Sequence, residues 1–358
     1  MNSRDRVLTT LVHEEPDIVP LTDHIYMPKS LEGILGKPGV RIDTPEEYIK
    51  VHQILGLDLI AAFPAPLGEG ESSGALMAGG RKDELIDRWG IKWKVIDGMP
   101  WYLDGTLKTS EDIDELQPPD PSKEDLYKPT EEILRLTAGE LAVGAVVEGP
   151  FTRSWFPMGF QSYVKMLYTS PGSIRKLVDK VTDYFIEQGK IFIDLGVDVI
   201  WMPDDLAMVD GPFLSPESFR KHIFPQMKTM VSTFRKRGVK VLLHTDGQIM
   251  PVIKDIVQMG FDGIHPVERK AGMNLKELKE KYGDELTFIG NINAKTVLQE
   301  GPTEMIKEQV QECLEIAAPG GGYILASDHS IHQGIPSANA KLMFKTAKHL
   351  GKYPLRKN

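Results

Sequence analysis

The sequence predicts an α/β protein built as a (β/α)8 TIM barrel, with a hairpin inserted in its N-terminal half and lying over the barrel. Two observations carry this. Short apolar runs alternate with amphipathic helical stretches along most of the chain, and right-handed strand–helix–strand connections over eight strands close into a barrel. The apolar runs are followed, one after another, by acidic, His and Asn residues, and strand C-terminal ends are where such barrels build active sites. The stretch Val239–Gly247, VKVLLHTDG, shows the pattern best. Its apolar part reads as a strand buried on both faces. His244 and Asp246 leave it at i, i+2, so two metal-capable side chains can point to one side, and Gly247 lets the backbone turn.

The elements follow in order. Val7–His13 reads as a short helix, and Pro16–Leu21 as a first strand bracketed by prolines, leading into Asp23, His24 and Tyr26. Thr44–Gly56 reads as a helix, with Thr44 as cap and Gly56 as stop. Asp58–Phe63 is the next strand. Residues 67–120 break the rhythm, being rich in Gly and aromatics and alternating like a hairpin, with Trp89, Trp93 and Trp101 covering one face of it. They read as an insertion in a single barrel domain spanning 1–358. Helix Thr130–Gly139 then precedes strand Ala142–Val147, and helix Ser173–Leu195 precedes strand Asp198–Met202. One helix, Ser215–Arg237, opens with a capping Ser and a Pro at its first position. After the VKVLLHTDG strand, helices Ile249–Met259, Asn274–Tyr282 and Thr303–Ala317 alternate with strands Phe261–His265, Leu286–Gly290 and Tyr323–Ala326; helix Ser337–Leu350 closes the pattern.

Composition narrows the function classes. A net charge of −9 with scattered charges disfavours nucleic acid as a partner. No run reaches the roughly 18 apolar residues of a membrane span, and MNSRDRVLTTLVHEE lacks a signal-peptide core. The single cysteine, Cys313, sits in an amphipathic helical pattern, which fits a reducing cytoplasm and excludes a thiolate-rich zinc site.

The strand mouths collect Asp23/His24, Glu148, Asp204/Asp205, His244/Asp246, His265/Glu268, Asn291/Asn293 and Asp328/His329. A purely structural ring of such groups would be hard to satisfy, since buried charge is costly. Neutral imidazole and carboxylate suit zinc. His244 and Asp246 form the best pair, with His329 as third ligand and Glu148 as its alternative. The plain structural reading stays beside the functional one: His244 and Asp246 can serve a turn, and adjacent Asp204 and Asp205 can cap a loop. His222, His332 and His349 read as surface or packing residues. Trp155, Phe156 and Tyr163 line a substrate pocket or belong to the core; Tyr26, Trp201, His265 and Asn291 complete the expected substrate-binding set.

With these residues in view, the chain resembles the uroporphyrinogen decarboxylase superfamily and, within it, the corrinoid-dependent methyltransferase branch. The resemblance rests on the EGPF strand end at Glu148, MGFQSYVKMLYTSPGSIRKLVDKVTDYFIEQGK, the HTDG turn, IGNIN at Ile289–Asn293 and GGYILASDHSI. The decarboxylases are marked by an Arg-rich N-terminal segment, whereas PDIVPLTDHIYMP here has no Arg. Porphyrinogen decarboxylation is therefore disfavoured. The branch implies a zinc site of the form His-x-Cys plus a distant Cys; here these positions hold His244, Asp246 and, at or next to it, His329. Harder ligands suit ether activation better than thiolate activation. The implied function is transfer of a methyl group from a small methylated donor, such as a methoxylated aromatic, to cob(I)alamin on a separate corrinoid protein. His244, Asp246 and His329 would hold zinc, and Glu148, Asp205 and Asp328 would orient the donor or protonate its leaving group. The alternatives are transfer from a methylated corrinoid to a thiol or folate, and a metal-free partner of a corrinoid protein. Dimerisation stays open.

Overall fold

Residues 1–42, 44–65, 84–96 and 99–355 are described in the computed structural model. In chain order the strands are β1 (Leu59–Ala62), β2 (Glu84–Ile86), β3 (Ile91–Ile96), β4 (Met99–Gly105), β5 (Ala142–Val146) and β6 (Val199–Pro203). They continue with β7 (Ala207–Met208), β8 (Gly211–Pro212), β9 (Lys240–His244), β10 (Gly263–Val267), β11 (Thr287–Ile292) and β12 (Tyr323–Ser327). Seven of them form one parallel, curled sheet in the order β1-β5-β6-β9-β10-β11-β12. Helices follow β5, β6, β9, β10, β11 and β12 in sequence.

Because successive side chains point to opposite faces of a strand, the sheet separates the core in two. Leu59, Ala61, Val199, Trp201, Leu242, Ile289 and Ile324 meet inside the curl, with Val7 and Leu11 of the N-terminal segment plugging it. Ile60, Ile200, Met202, Val241 and Leu243 face outward into the larger cluster under the helices. Burial on both faces is what a parallel sheet requires. Acids at the strand starts serve this frame. Asp58, Asp198 and Asp262 each accept a backbone N–H from a neighbouring segment, those of Leu21, Val143 and Val241. Asp58 and Asp198 also pair with Arg6 and Arg4.

The expected first strand is reduced to bridges. Pro16 and Pro20 remove two N–H donors, and Ile18 and Leu21 form isolated bridges with Lys352 and Leu325. Yet Pro20–Thr22 bonds to both sheet edges. Leu325 N donates to Pro20 O and Thr22 N to Leu325 O, while Asp58 N donates to Leu21 O and Thr22 Oγ1 to Leu59 O. This segment thus carries His24 and Tyr26 to the same mouth as the strands.

Three further expectations are corrected. The helix expected over Ser215–Arg237 is two, Pro216–His222 and Phe224–Lys236, because Pro225 cannot donate to the carbonyl of Lys221. Thr44 does not cap Pro45–Leu55; its hydroxyl bonds the Arg41 backbone instead. In the irregular region, residues 67–83 lie outside the described residues, and 84–105 contain a three-stranded antiparallel sheet, β2-β3-β4. Its tryptophans do not share a face: Trp93 stands opposite Tyr102 and is buried, whereas Trp101 stands opposite Lys94 and is exposed.

Candidate active site and metal centre

The C-terminal mouth of the sheet opens on a cavity of about 290 Å³ lined by His24, Tyr26, Glu148, Trp201, Asp205, His244, Asp246 and His329 among others. The strands deliver these groups directly. Register pairs His244 of β9 with His265 of β10, and Pro203 of β6 with His244. His244 and His265 therefore stand side by side, Nδ1 to Nδ1 at 2.7 Å. His24 completes a trio, its ring 4.8 Å from His244 and 4.6 Å from His265, with His24 and His265 also packed on Trp201. Burial, with the neighbouring imidazoles, holds His24 and His265 well below the usual imidazole range, so both are neutral.

The turn after β9 is built around Gly247. Its φ is +87°, and a Cβ there would meet the Met208 carbonyl oxygen at 2.6 Å, so only glycine fits. Its N–H donates to Glu268 Oε2 and the preceding Asp246 N–H to Asp205 Oδ1. Thr245 faces away and accepts the Leu206 N–H. Asp246 is thereby turned towards Asp205 and His244.

Two groups of metal-capable side chains share His244: His24/His244/His265 and Asp205/His244/Asp246, each with one ligand atom per residue within 4.8 Å of the others. The donors fit zinc, which binds imidazole nitrogen and carboxylate oxygen. The same conclusion follows from unmade bonds: Asp246 Oδ1, His24 Nε2 and His265 Nε2 are buried without a hydrogen-bond partner, and such atoms are costly unless something binds them. His329, the expected third ligand, belongs to neither group. It is half-exposed at the rim, its Nε2 3.9 Å from Asp246 Oδ2. Asp205, expected as a catalytic acid, belongs to the second group.

Glu148 lies in the cavity wall. Burial pushes its carboxyl above the usual range, opposed by Arg153 and His244 and reinforced by Asp205. Asp205 is raised by burial as well, against the pull of His244.

Other expected residues are used elsewhere. Asp328 accepts the Ala294 N–H and the Asn293 amide, securing the turn after β11, although burial raises its carboxyl to about 6. Asn291 bonds Val267 O and receives the Arg269 guanidinium. Trp155 and Phe156 pack on Tyr102 at the antiparallel sheet, and Tyr163 is buried with its hydroxyl on Ser154. None of these five lines the cavity; their strands and helices rotate them into the protein. Asp204 is a cap, accepting the Phe151 and Thr152 N–H groups. Cys313 is buried with its thiol pushed up to about 11, so it offers no thiolate. Sequence reasoning passed over His24 as a ligand, and Arg153, Tyr184 and Phe185 as lining. The signal for His24 was present, since it follows the Pro16–Leu21 segment as the other site groups follow strands.

The class these features define is an α/β fold with a curled, parallel seven-stranded sheet and nitrogen- and oxygen-donor groups gathered at its strand mouths. The chain belongs to the uroporphyrinogen decarboxylase (URO-D) family, whose sequence model matches residues 86–350. A methylcobamide:CoM methyltransferase MtaA of Methanosarcina barkeri is 27% identical over 197 residues, 55% of this chain and 55% of that relative's length. A uroporphyrinogen decarboxylase of Trichodesmium erythraeum is 24% identical over 271 residues, 73% of each chain. A methyltransferase structure from Methanosarcina mazei superposes with a TM-score of 0.76 over 98% of this chain and 99% of that one, at 21% identity, and so shares the fold. Among the described residues, no helix is long and apolar enough to cross a membrane.

Proposed function

We propose that this protein is a zinc-dependent methyltransferase of the cytoplasm that moves a methyl group from a small methylated substrate to the cob(I)alamin of a separate corrinoid protein. The donor that best suits the site is a methoxylated aromatic. The supporting observation is the convergence of Asp205, His244 and Asp246 in an aromatic-walled cavity beside half-buried Glu148. Asp205, His244 and Asp246 would hold zinc, and bound there it supplies Lewis acidity towards an ether oxygen. His265 fixes the His244 ring through the Nδ1 contact. Trp89, Tyr184 and Trp201 exclude water and offer faces to an aromatic donor. Glu148, whose carboxyl burial raises above its usual range, would be the proton donor for the oxygen that loses its methyl group.

A second reading, methyl transfer from a methylcorrinoid to a thiol, draws support from the activity named for the Methanosarcina barkeri relative. The donor set argues for the first, because a thiolate-activating zinc profits from electron-rich cysteine ligands and no cysteine lines this cavity. One assay with two arms separates them. The protein is given cob(I)alamin with a methoxylated aromatic, and separately methylcobalamin with coenzyme M or homocysteine. Methyl transfer in the first arm is expected. Rapid thiol methylation with an inactive first arm would reverse the assignment.

A further inference from the structure

The cavity wall holds a buried cation that the metal-capable groups do not use. Arg153, on the short helix Pro150–Trp155, is 4% exposed and lines the cavity. Its Nε is buried without a hydrogen-bond partner, and among the described residues no salt bridge forms to it. Two carboxylates lie near enough to feel its charge, and neither takes it as a hydrogen-bonded partner. Asp87 spends its oxygens on the Trp89 and Ile91 N–H groups and the Trp93 indole. Glu148 shares the cavity and, among the described residues, forms no salt bridge or hydrogen bond to the guanidinium. Gln188 of helix Pro171–Leu195 is 3% exposed, lines the same cavity and leaves its acceptor Oε1 unpartnered. Aromatic rings frame this part of the wall: the guanidinium carbon lies 5.8 Å from the Phe185 ring centre, and Trp89 meets Tyr184 edge-on at 5.1 Å.

A guanidinium with five donors in a fixed plane matches a carboxylate. Leaving its bonds unmade in a buried wall costs free energy that a ligand would recover. One cation among apolar walls suits a single negative charge better than a phosphate dianion. We propose that Arg153 anchors the carboxylate of the substrate, so that the cavity takes a small aromatic carboxylate. Its ring lies among Trp89, Tyr184 and Phe185. The methyl-bearing end points towards Glu148 and His244, an orientation that rests on the methyl-transfer reading above; the anchor itself does not.

The test is equilibrium binding by calorimetry, with 4-methoxybenzoate and its neutral analogue 4-methoxybenzyl alcohol as probes and no corrinoid present. The anion is expected to bind about 10-fold or more tightly than the alcohol, and Arg153→Gln to erase that preference. Arg153→Lys, keeping the charge without the fork, should retain part of it. Melting curves confirm that each variant is folded, and if Arg153→Gln is not, the wild-type ratio and Arg153→Lys decide. Equal binding of the two probes, or no binding of the anion, overturns the proposal. So does a preference that survives Arg153→Gln and vanishes in His244→Ala, which would place the carboxylate at the metal-capable groups. An anion preference without methyl transfer would sink the proposed activity and leave the anchor standing; transfer from neutral methoxyarenes with no anion preference would do the reverse.

Discussion

His244 and His265 face each other Nδ1 to Nδ1 at 2.7 Å because they are register partners on adjacent parallel strands. One nitrogen must donate and the other accept, so the contact couples the tautomer of one ring to that of the other. Partners of this kind orient a ligating imidazole, and losing one typically costs about 10–100-fold in metal affinity. His265→Ala is expected to weaken zinc binding by a factor in that range, and His265→Asn, which restores a polar atom near Nδ1, to recover much of it. Competition with a chromophoric chelator reads both. Unchanged affinity in His265→Ala would show that the pair is a packing feature only.

The third ligand is decided by a comparison of two variants. Asp205 converges with His244 and Asp246, whereas His329 stands apart at the rim. Elemental analysis of the purified protein should find about one zinc per chain. His244→Ala and Asp205→Asn should lose most of it, while His329→Ala should keep it. Zinc retained in Asp205→Asn and lost in His329→Ala would restore the assignment expected from the sequence.

Much of this architecture is legible in the sequence because burial on both faces leaves apolar runs and strand mouths collect polar residues. The helices at Thr303–Ala317 and Ser337–Leu350 fall where the periodicity puts them. Within the site, legibility ends at rotation. Asp205 and Asp328 both follow strands behind a similar run, yet one faces the cavity and the other bonds the turn at Ala294. Nothing local in the sequence distinguishes them. Arg153 is hidden for a different reason: it meets Phe185, which lies on a helix further along the chain. Pro20 spoils the first strand as a ladder while keeping its path, so His24 arrives at the site from a segment with only bridge pairing.

His52 supplies a test of the fold through pH. It is buried, its Nδ1 bonds the Tyr48 carbonyl at 2.9 Å and its Nε2 has no partner. Burial lowers its pKa from 6.5 to about 4. Between those values the unfolded chain binds a proton that the folded chain refuses, so stability is full above 6.5 and is lost as the pH falls towards 4. The loss from this one residue amounts to about 3 kcal/mol at most. His52→Leu should flatten that part of the acid-side decline in urea unfolding measured between neutral and mildly acidic pH. A decline as steep as in the wild-type protein would mean that the ring titrates without cost.

The last prediction concerns the proton on Glu148. Cob(I)alamin is a strong nucleophile and needs no activation, so the barrier to demethylating an aryl ether lies in the departing phenolate. A zinc held by the metal-capable groups would supply Lewis acidity to the same oxygen that a proton from Glu148 would reach, and general acid catalysis typically contributes about 10²–10⁴-fold. Burial raises the Glu148 carboxyl above its usual range, Arg153 and His244 draw it back, and Asp205 raises it again. The acid form is the active one, so methyl transfer should be level at low pH within the stable range and decline as the pH rises through this raised value. Glu148→Gln cannot deliver a proton; it should transfer about 10²-fold more slowly and lose the alkaline decline. A donor whose phenol is more acidic needs the proton less. The Glu148→Gln defect should therefore shrink on going from 4-methylanisole to 4-cyanoanisole in the cob(I)alamin assay. A defect of equal size for both ethers, with the pH profile unchanged, would move Glu148 from proton donor to a role in binding or shape.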